Sequence, residues 1–194
     1  MTSRKPRTVL FRRRREQKTN YQSRLKLLKS DKARLVVRLT NKRIIAEIVK
    51  FEMAGDKVLF GTDSTALGKL GWNYSYKSYP AAYLLGLMLG KAVLKKGITE
   101  AILDTGFDTP LPKGRIYALL KGVLEGGLQV PHGEKDIFPS EDRISGKHIS
   151  DYAVSLKDKT IHDKRFSGYI KKNASPEKIT ETFNKVKQKI MSEK

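Results

Sequence analysis

Residues 35–51 read LVVRLTNKRIIAEIVKF, and this stretch decides the fold of the chain. It holds two apolar runs rich in β-branched residues, Leu35–Leu39 and Ile44–Phe51, on either side of the polar turn Thr40–Arg43. Two such runs around a short turn that contains asparagine favour a β-hairpin. A third run, Lys57–Phe60, follows a Gly-Asp turn signal. The pattern therefore predicts an antiparallel meander of three strands.

A long apolar helix is predicted after the meander. Residues 61–79 are loop-like, and Pro80 suits the first turn of a helix that continues to about Lys96. Gly86 and Gly90 lie within this helix. Because glycine has no side chain, the two positions predict that another element approaches the helix closely.

Strand and helix patterns alternate beyond it. Ile98–Leu103 is a predicted strand, and Leu128–Val130 is a predicted last strand before Pro131. A helix between them is indicated by apolar residues at spacings i, i+3, i+4, i+7 and i+8, namely Ile116, Leu119, Leu120, Val123 and Leu124. The order βββαβαβ predicts an α/β fold, a mixed sheet whose antiparallel βββ meander is followed by αβαβ, with helices packed on the sheet.

The C-terminal third is polar and irregular between residues 131 and 175, with a predicted helix near residues 145–157. A helix-start signal, Ser175-Pro176-Glu177, precedes an amphipathic pattern formed by Ile179, Phe183, Val186 and Ile190. We therefore expect three regions: a basic N-terminal arm (1–30), an α/β core (31–130) and an extension with a C-terminal helix (131–194).

Charge is unevenly distributed along the chain, whose net charge is +20. Residues 1–50 hold 17 Lys and Arg against three Asp and Glu, residues 51–157 hold 13 against 12, and residues 158–194 hold ten against five. Charged thermophilic surfaces mix both signs, whereas Glu16 is the one acidic residue among the first 30. A nearly neutral body with a basic arm is typical of a protein that binds a polyanion.

The arm is predicted to be extended and disordered over residues 1–11 and helical from Arg12 to Lys29, with Tyr21, Leu25 and Leu28 on one side. Its four consecutive arginines would fan over every face of a helix, so they cannot all serve one intramolecular partner. The guanidinium group matches phosphate in a bidentate geometry. A localisation signal or a solvated tail is the alternative interpretation.

Two further segments are candidate contacts. The loop Trp72–Tyr79 interleaves aromatic, amide and basic side chains; aromatic rings stack on unpaired bases, although any one ring is equally compatible with packing over the next helix. The hairpin tip is either a plain polar turn or a groove contact. The predicted RNA-binding residues are Arg12, Arg13, Arg14, Arg15, Lys18, Tyr21, Arg24, Lys26, Arg38, Asn41, Lys42, Arg43, Trp72, Asn73 and Lys77.

Enzymatic patterns are weak. The segment Gly61–Lys69 resembles a phosphate-binding loop, but six residues separate its glycines instead of four and Leu70 replaces the hydroxyl residue that would bind magnesium. The three histidines lack metal-ligand spacing, and Asp104 and Asp108 fit a turn as well as an acid site. We expect no catalysis, no metal, no cofactor and no small-molecule substrate.

The chain has no cysteine, which excludes disulfides and thiolate metal sites. Its first residues lack the apolar segment of a signal peptide. The longest uncharged apolar stretch, residues 78–90, is too short to cross a bilayer as a helix, which needs about 20 residues. We expect a cytoplasmic protein without a membrane partner.

With these patterns in place, the sequence resembles the archaeal and eukaryotic branch of the universal 5S-rRNA-binding large-subunit ribosomal protein family, large-subunit protein eighteen. The matching segments span about residues 9–155, and Asn20 departs from them because the family has an acidic residue before the tyrosine. They are Phe11–Glu16, Lys18–Tyr21, Arg24–Leu28, Pro80–Leu84, Gly122–Leu128, Val130–Glu134 and Ile137–Ile144.

The resemblance implies a structural protein of the large ribosomal subunit that attaches 5S rRNA in the central protuberance. Its implied partners are 5S rRNA, large-subunit rRNA and neighbouring ribosomal proteins, with the arm from Arg12 to Arg24 on 5S rRNA. Val130–Ile144 resembles an archaeal and eukaryotic extension, in which His132 and Glu134 are structural. A DNA-binding protein and a nucleotide-processing enzyme are the alternative classes.

Overall fold

The computed structural model describes residues 8–133, 135–156 and 158–192, so the expectation for residues 1–7 lies outside the described residues. One sheet contains β1 (Arg34–Leu39), β2 (Ile44–Lys50), β3 (Lys57–Asp63) and β4 (Ile102–Asp104). The strands lie in the order β3-β2-β1-β4. β2 is antiparallel to both of its neighbours, and β4 is parallel to β1. The predicted meander and the mixed sheet are confirmed.

Alternation of side chains along β1 gives the sheet a buried apolar face and a more open face, on which Arg34 is nevertheless buried. Leu35 and Val37 of β1 are buried, whereas Val36 is half-buried and Arg38 is exposed. Residues that pair across strands share a face, and Val36 pairs with Glu47 of β2 and with Asp104 of β4. The open face is therefore polar and charged.

Helices cover the buried face of this sheet, and others lie in the N-terminal arm and in the C-terminal extension. Their bounds are α1 (Arg12–Arg15), α2 (Tyr21–Leu28), α3 (Tyr79–Leu94), α4 (Arg115–Glu125), α5 (Glu141–Ser145), α6 (Lys147–Ser155), α7 (Lys159–Arg165), α8 (Ser167–Ile170) and α9 (Ile179–Ser192). Short 3-10 helices cover Ser64–Leu70, Lys135–Ile137 and Pro176–Lys178. The expectation of helices packed on a mixed sheet is confirmed.

α3 is the centre of the molecule. It is apolar on all sides, as expected of a helix that is buried all round, because it lies between two apolar clusters. One cluster joins α3 and α4 to the buried face of the sheet, through Leu35 and Leu119 among others. The second cluster joins the opposite side of α3 to Trp72, Ile144 and Phe183. The C-terminal extension therefore shares a core with the helix that supports the sheet.

Two predicted strands are shorter than expected. The predicted strand Ile98–Leu103 is reduced to β4, because the N–H of Ile98 bonds to the carbonyl of Val93 to end α3. The predicted strand Leu128–Val130 forms a single bridge, between Gln129 and Glu100. Pro131 has no N–H with which to extend that ladder.

The extension contains more helix than the sequence predicts. The helix predicted near residues 145–157 corresponds to α6, and α5 precedes it across Gly146, whose φ is +85°. The C-terminal helix is confirmed as α9, which buries its predicted apolar residues, Ile179, Phe183, Val186 and Ile190. Throughout residues 8–133, 135–156 and 158–192, the helices fall short of the length and hydropathy that a membrane crossing requires.

Candidate nucleic-acid interface

The arm forms two helices, so the prediction of one helix from Arg12 to Lys29 is wrong. Gln17 has a φ of +53°, in the left-handed region, which an α-helix cannot continue through. The N–H groups of Lys18 and Thr19 bond to the carbonyl of Arg13 and end α1. The side chain of Asn20 then accepts a hydrogen bond from the N–H of Ser23 at 3.2 Å and begins α2. Asparagine caps a helix as well as aspartate does, so the departure at Asn20 preserves the cap.

The four arginines of α1 are exposed, and α1 buries no residue. Their intramolecular contacts are few among the described residues. Arg13 donates from Nε to the hydroxyl of Thr19 at 2.8 Å, and Nε of Arg12 lies 3.8 Å from a carboxylate oxygen of Glu16. The attraction within such a solvent-exposed ion pair is weak. Most of the guanidinium surface of α1 is therefore open to a ligand.

The apolar side predicted for the arm does not pack on the core. Tyr21 contacts the ring of Phe11, with ring centroids 5.2 Å apart, and Leu25 is 61% exposed. α2 has no buried residue. Tyr21 and Leu25 therefore leave most of their surface outside the core, whereas Leu28 is half-buried.

A shared ion-pair network attaches α2 to the sheet. Arg24 donates two hydrogen bonds to Asp56, one to each carboxylate oxygen, at 2.7 and 2.8 Å. The buried guanidinium of Arg34 donates to Asp56 and to Asp104, both at 2.7 Å. Asp104 also accepts from the N–H of Gly106 at 3.0 Å. Together Arg24, Asp56, Arg34 and Asp104 form a four-residue clamp.

The clamp also explains why the pKa of Asp56 is lowered. Partial burial raises the pKa of this carboxyl, but hydrogen bonds from Arg24 and Arg34 and the charges of both arginines outweigh burial, so the pKa lies below its ordinary value. Asp56 is thus an anion that links two cations. This role was not predicted from the sequence, because the turn signal at Asp56 accounted for its presence.

Asp104 is held by the clamp, so its carboxylate is not free for the acid catalysis that its position after a strand could suggest. Its partner Arg34 lies beside it on the parallel neighbour β1. Within the described ranges, no three His, Asp or Glu side chains gather as metal ligands. His132 packs on Phe138 with ring centroids 5.2 Å apart, and its Nδ1 lies 2.8 Å from the carbonyl oxygen of Val130. Glu134 lies outside the described residues.

A groove of about 600 Å³ separates the arm from the open face of the sheet. Arg13 and Lys18 line it from the arm, and Arg38 and Glu47 line it from the sheet. Arg38 is exposed, and its guanidinium lies 3.8 Å from the carboxylate of Glu47. The structure therefore brings predicted contacts from the arm and from the sheet to one groove.

The hairpin tip is exposed to solvent. Asn41 and Lys42 are exposed, and the hydroxyl of Thr40 donates to the carbonyl of Arg43 at 2.6 Å to brace the turn. Arg43 is paired with Asp63 at 2.8 Å and is 48% exposed. The tip therefore presents two cations to solvent: Lys42, and Arg43 in its ion pair with Asp63.

In the loop Trp72–Tyr79, the rings of Trp72 and Tyr74 are buried, whereas Tyr76 and Tyr79 are half-buried. Trp72 is fully buried, and its indole Nε1 donates to the carbonyl of Ser75 at 3.3 Å. The hydroxyl of Tyr74 donates to the carbonyl of Ser175 at 2.7 Å. Because the second apolar cluster encloses Trp72, its ring has no face free for a base. The prediction that Trp72 contacts RNA is therefore wrong. Asn73 and Lys77 are exposed, as are Lys18, Lys26 and Lys29 of the arm.

An α/β core with an exposed arginine-rich arm is typical of a protein that binds nucleic acid. Comparisons with known proteins agree with that class. Residues 6–101 match the protein family described as ribosomal large subunit proteins 60S L5 and 50S L18.

Two archaeal relatives match nearly the whole chain. Large ribosomal subunit protein uL18 of Korarchaeum cryptofilum is 46% identical over 182 residues, which cover 94% of this chain and 93% of the relative. The uL18 protein of Methanothermobacter thermautotrophicus is 44% identical over 185 residues, 95% of each chain. The chain belongs to the uL18 family of structural proteins of the large ribosomal subunit, which confirms the family resemblance.

Proposed function

We propose that this protein binds 5S rRNA and helps to attach it to the large ribosomal subunit in the central protuberance. Large-subunit rRNA and neighbouring ribosomal proteins are its further partners, in the cytoplasm. The observation that carries the proposal is the segregation of charge: the four arginines of α1 are exposed beside a groove that Arg13, Lys18 and Arg38 line together with acidic side chains, while the body of the chain is almost neutral. Such a surface neutralises a phosphate backbone.

The mechanism combines phosphate contacts with recognition of RNA shape. Phosphate contacts position a protein on nucleic acid without sequence information, and A-form RNA is recognised through its shape and its single-stranded loops. The arm supplies the phosphate contacts, and the hairpin tip with Lys42 supplies a second contact at the edge of the sheet. No catalytic step is involved.

The test is a competition experiment with labelled 5S rRNA. Unlabelled 5S rRNA should displace the probe at far lower concentration than duplex DNA or another structured RNA of similar length. Equal displacement by duplex DNA would overturn the choice of RNA, and equal displacement by the other RNA would overturn the choice of 5S rRNA. The affinity should also fall steeply as salt is raised, because counterions released from phosphates favour binding.

A further inference from the structure

We propose that the clamp holds the arm in its RNA-binding position before RNA arrives, so that Arg24 is a positioning residue and not a phosphate contact. This inference rests on the proposed RNA-binding function. It gives the acidic residue Asp56 a role that favours RNA binding. From its negative charge alone, Asp56 would be expected to lower the affinity for RNA.

The contacts of the clamp join three separate parts of the fold. Arg24 lies on α2, Asp56 lies in the turn between β2 and β3, and Arg34 lies on β1. Both Asp56 oxygens accept from Arg24, and one of them also accepts from Arg34. A two-bond guanidinium–carboxylate pair fixes orientation as well as distance. The orientation of α2 relative to the sheet is therefore specified by a single carboxylate.

The burial of these side chains restricts the movement of α2 relative to the sheet. The side chain of Arg34 is 4% exposed, that of Asp104 12%, and those of Asp56 and Arg24 25% and 28%. A buried arginine that loses a carboxylate partner is left with an uncompensated charge. Asp56 cannot follow Arg24 away from the sheet without depriving Arg34 of that partner. The arm is thus tied to a fixed point of the core.

The apolar contacts of α2 are only partial. The helix buries no residue, Leu25 is exposed, and Leu27 and Leu28 are half-buried. Without the clamp, the cations of the arm would have to be ordered when RNA binds, and ordering of this kind reduces affinity. Arg24 already gives two donors to Asp56, which leaves its guanidinium poorly placed to serve a phosphate as well.

The decisive variant is Asp56→Asn, measured for affinity to 5S rRNA. Removing an acid beside a basic arm should strengthen RNA binding if only charge matters. The clamp predicts the opposite sign, a loss of about tenfold if the docked arm falls to a tenth of the population. The matched control is Glu52→Gln, on the same turn, which removes the same charge and contacts Lys57 at 3.6 Å but not the arm.

Affinity in Glu52→Gln should equal or slightly exceed that of the unmodified protein. An Asp56→Asn protein that binds 5S rRNA as tightly as the unmodified protein, or more tightly, would overturn the proposal. A thermal melt of each variant establishes that the body is folded when affinity is measured.

A second variant, Arg24→Lys, leaves both pairs of Arg34 intact and keeps the charge of the arm. Lysine cannot reproduce the two-bond geometry of arginine. The clamp therefore predicts weaker RNA binding by a protein whose body is still folded, whereas a simple phosphate contact would retain most of its affinity. Unchanged affinity in this variant would make Arg24 a direct RNA contact after all.

Amide hydrogen exchange in the free protein tests the clamp without RNA. The amides of α2 should exchange faster in Asp56→Asn and Arg24→Lys than in Glu52→Gln, because local opening sets the exchange rate. Equal exchange in all three would contradict a docked arm. If the unmodified protein failed to bind 5S rRNA, the proposed function would fail while this measurement still decided whether the clamp exists.

Discussion

A Cβ atom on Gly86 of α3 would lie 2.1 Å from the carbonyl oxygen of Leu119 on α4. The relationship is reciprocal, because a Cβ atom on Gly122 of α4 would lie 2.1 Å from the carbonyl oxygen of Tyr83 on α3. The two helices therefore pack with their backbones in contact. This confirms the expectation that Gly86 admits a close approach, and it explains how α3 can support both apolar clusters.

Substitution of Gly86 by Ala should destabilise the protein by about 1–3 kcal/mol or more, because the added methyl group meets backbone that cannot move without shifting a helix. Urea unfolding followed by circular dichroism measures the change. Gly168→Ala is the control, since a Cβ atom there meets nothing within 4 Å. Equal stability of the two variants would contradict the helix contact.

Substitution of Leu119 by Ala should cost about 2–5 kcal/mol, because its side chain is fully buried between the sheet and α3 and its removal leaves a cavity. Leu111→Ala makes the same chemical change at a side chain that is 72% exposed and should change stability little. Thermal melts of both variants provide the comparison. A Leu119→Ala melt that coincides with that of the unmodified protein would show that the first cluster is misassigned.

Replacement of the four arginines of α1 by Ala should weaken 5S rRNA binding and reduce the slope of affinity against salt by about 3, because fewer counterions are released. The body should stay folded, since α1 buries no residue. The control replaces four exposed cations of the extension, Lys159, Lys164, Arg165 and Lys171, and so removes the same charge. Equal losses from the two replacements would show that total charge, not the arm, governs binding.

Fluorescence of Trp72, the single tryptophan, should be unaffected by saturating 5S rRNA, because the ring is enclosed by the second apolar cluster. The measurement is a titration of the emission spectrum. A double variant, Trp72→Phe with Phe11→Trp, moves the fluorophore to an arm position that is 72% exposed and shows how a ring near RNA responds. Strong quenching of Trp72 fluorescence by 5S rRNA would instead show that Trp72 contacts the RNA.

The contribution of Asp56 to stability should depend on pH. Its pKa in the folded protein lies below the ordinary value of 3.8, because the hydrogen bonds and charges of Arg24 and Arg34 outweigh burial. A lowered carboxyl pKa adds stability above the unfolded pKa, and that stability is lost as the pH falls through the folded pKa. The other carboxylate of the clamp, Asp104, lies on the far side of Arg34 from Asp56.

The melting temperatures of the unmodified protein and of Asp56→Asn should therefore differ most at neutral pH and converge as the pH falls below about 4. Glu52→Gln, at an exposed position of the same turn, should track the unmodified protein at every pH. A difference for Asp56→Asn that stays constant down to about pH 2 would show that the ion pairs add nothing to stability.

Local patterns were sufficient to predict much of this protein. The meander followed from alternation over Leu35–Phe51, and α4 and α9 followed from their helical periodicity, because each pattern is written in neighbouring residues. The exposed cationic arm followed from charge density for the same reason. The break at Gln17 was missed although the signal existed, since Asn20 is a residue type that begins helices.

Contacts between distant segments accounted for the rest. Tyr74 bonds to Ser175 across 101 positions of the chain, and Arg34 bonds to Asp104 across 70. Burial of Trp72 and capture of Arg24 depend on such partners, and no local periodicity carries that information. An aromatic or cationic side chain has the same chemistry whether it faces solvent or the core. Which of them a nucleic acid can reach is settled when the chain folds, because packing buries some side chains and pairs others with carboxylates.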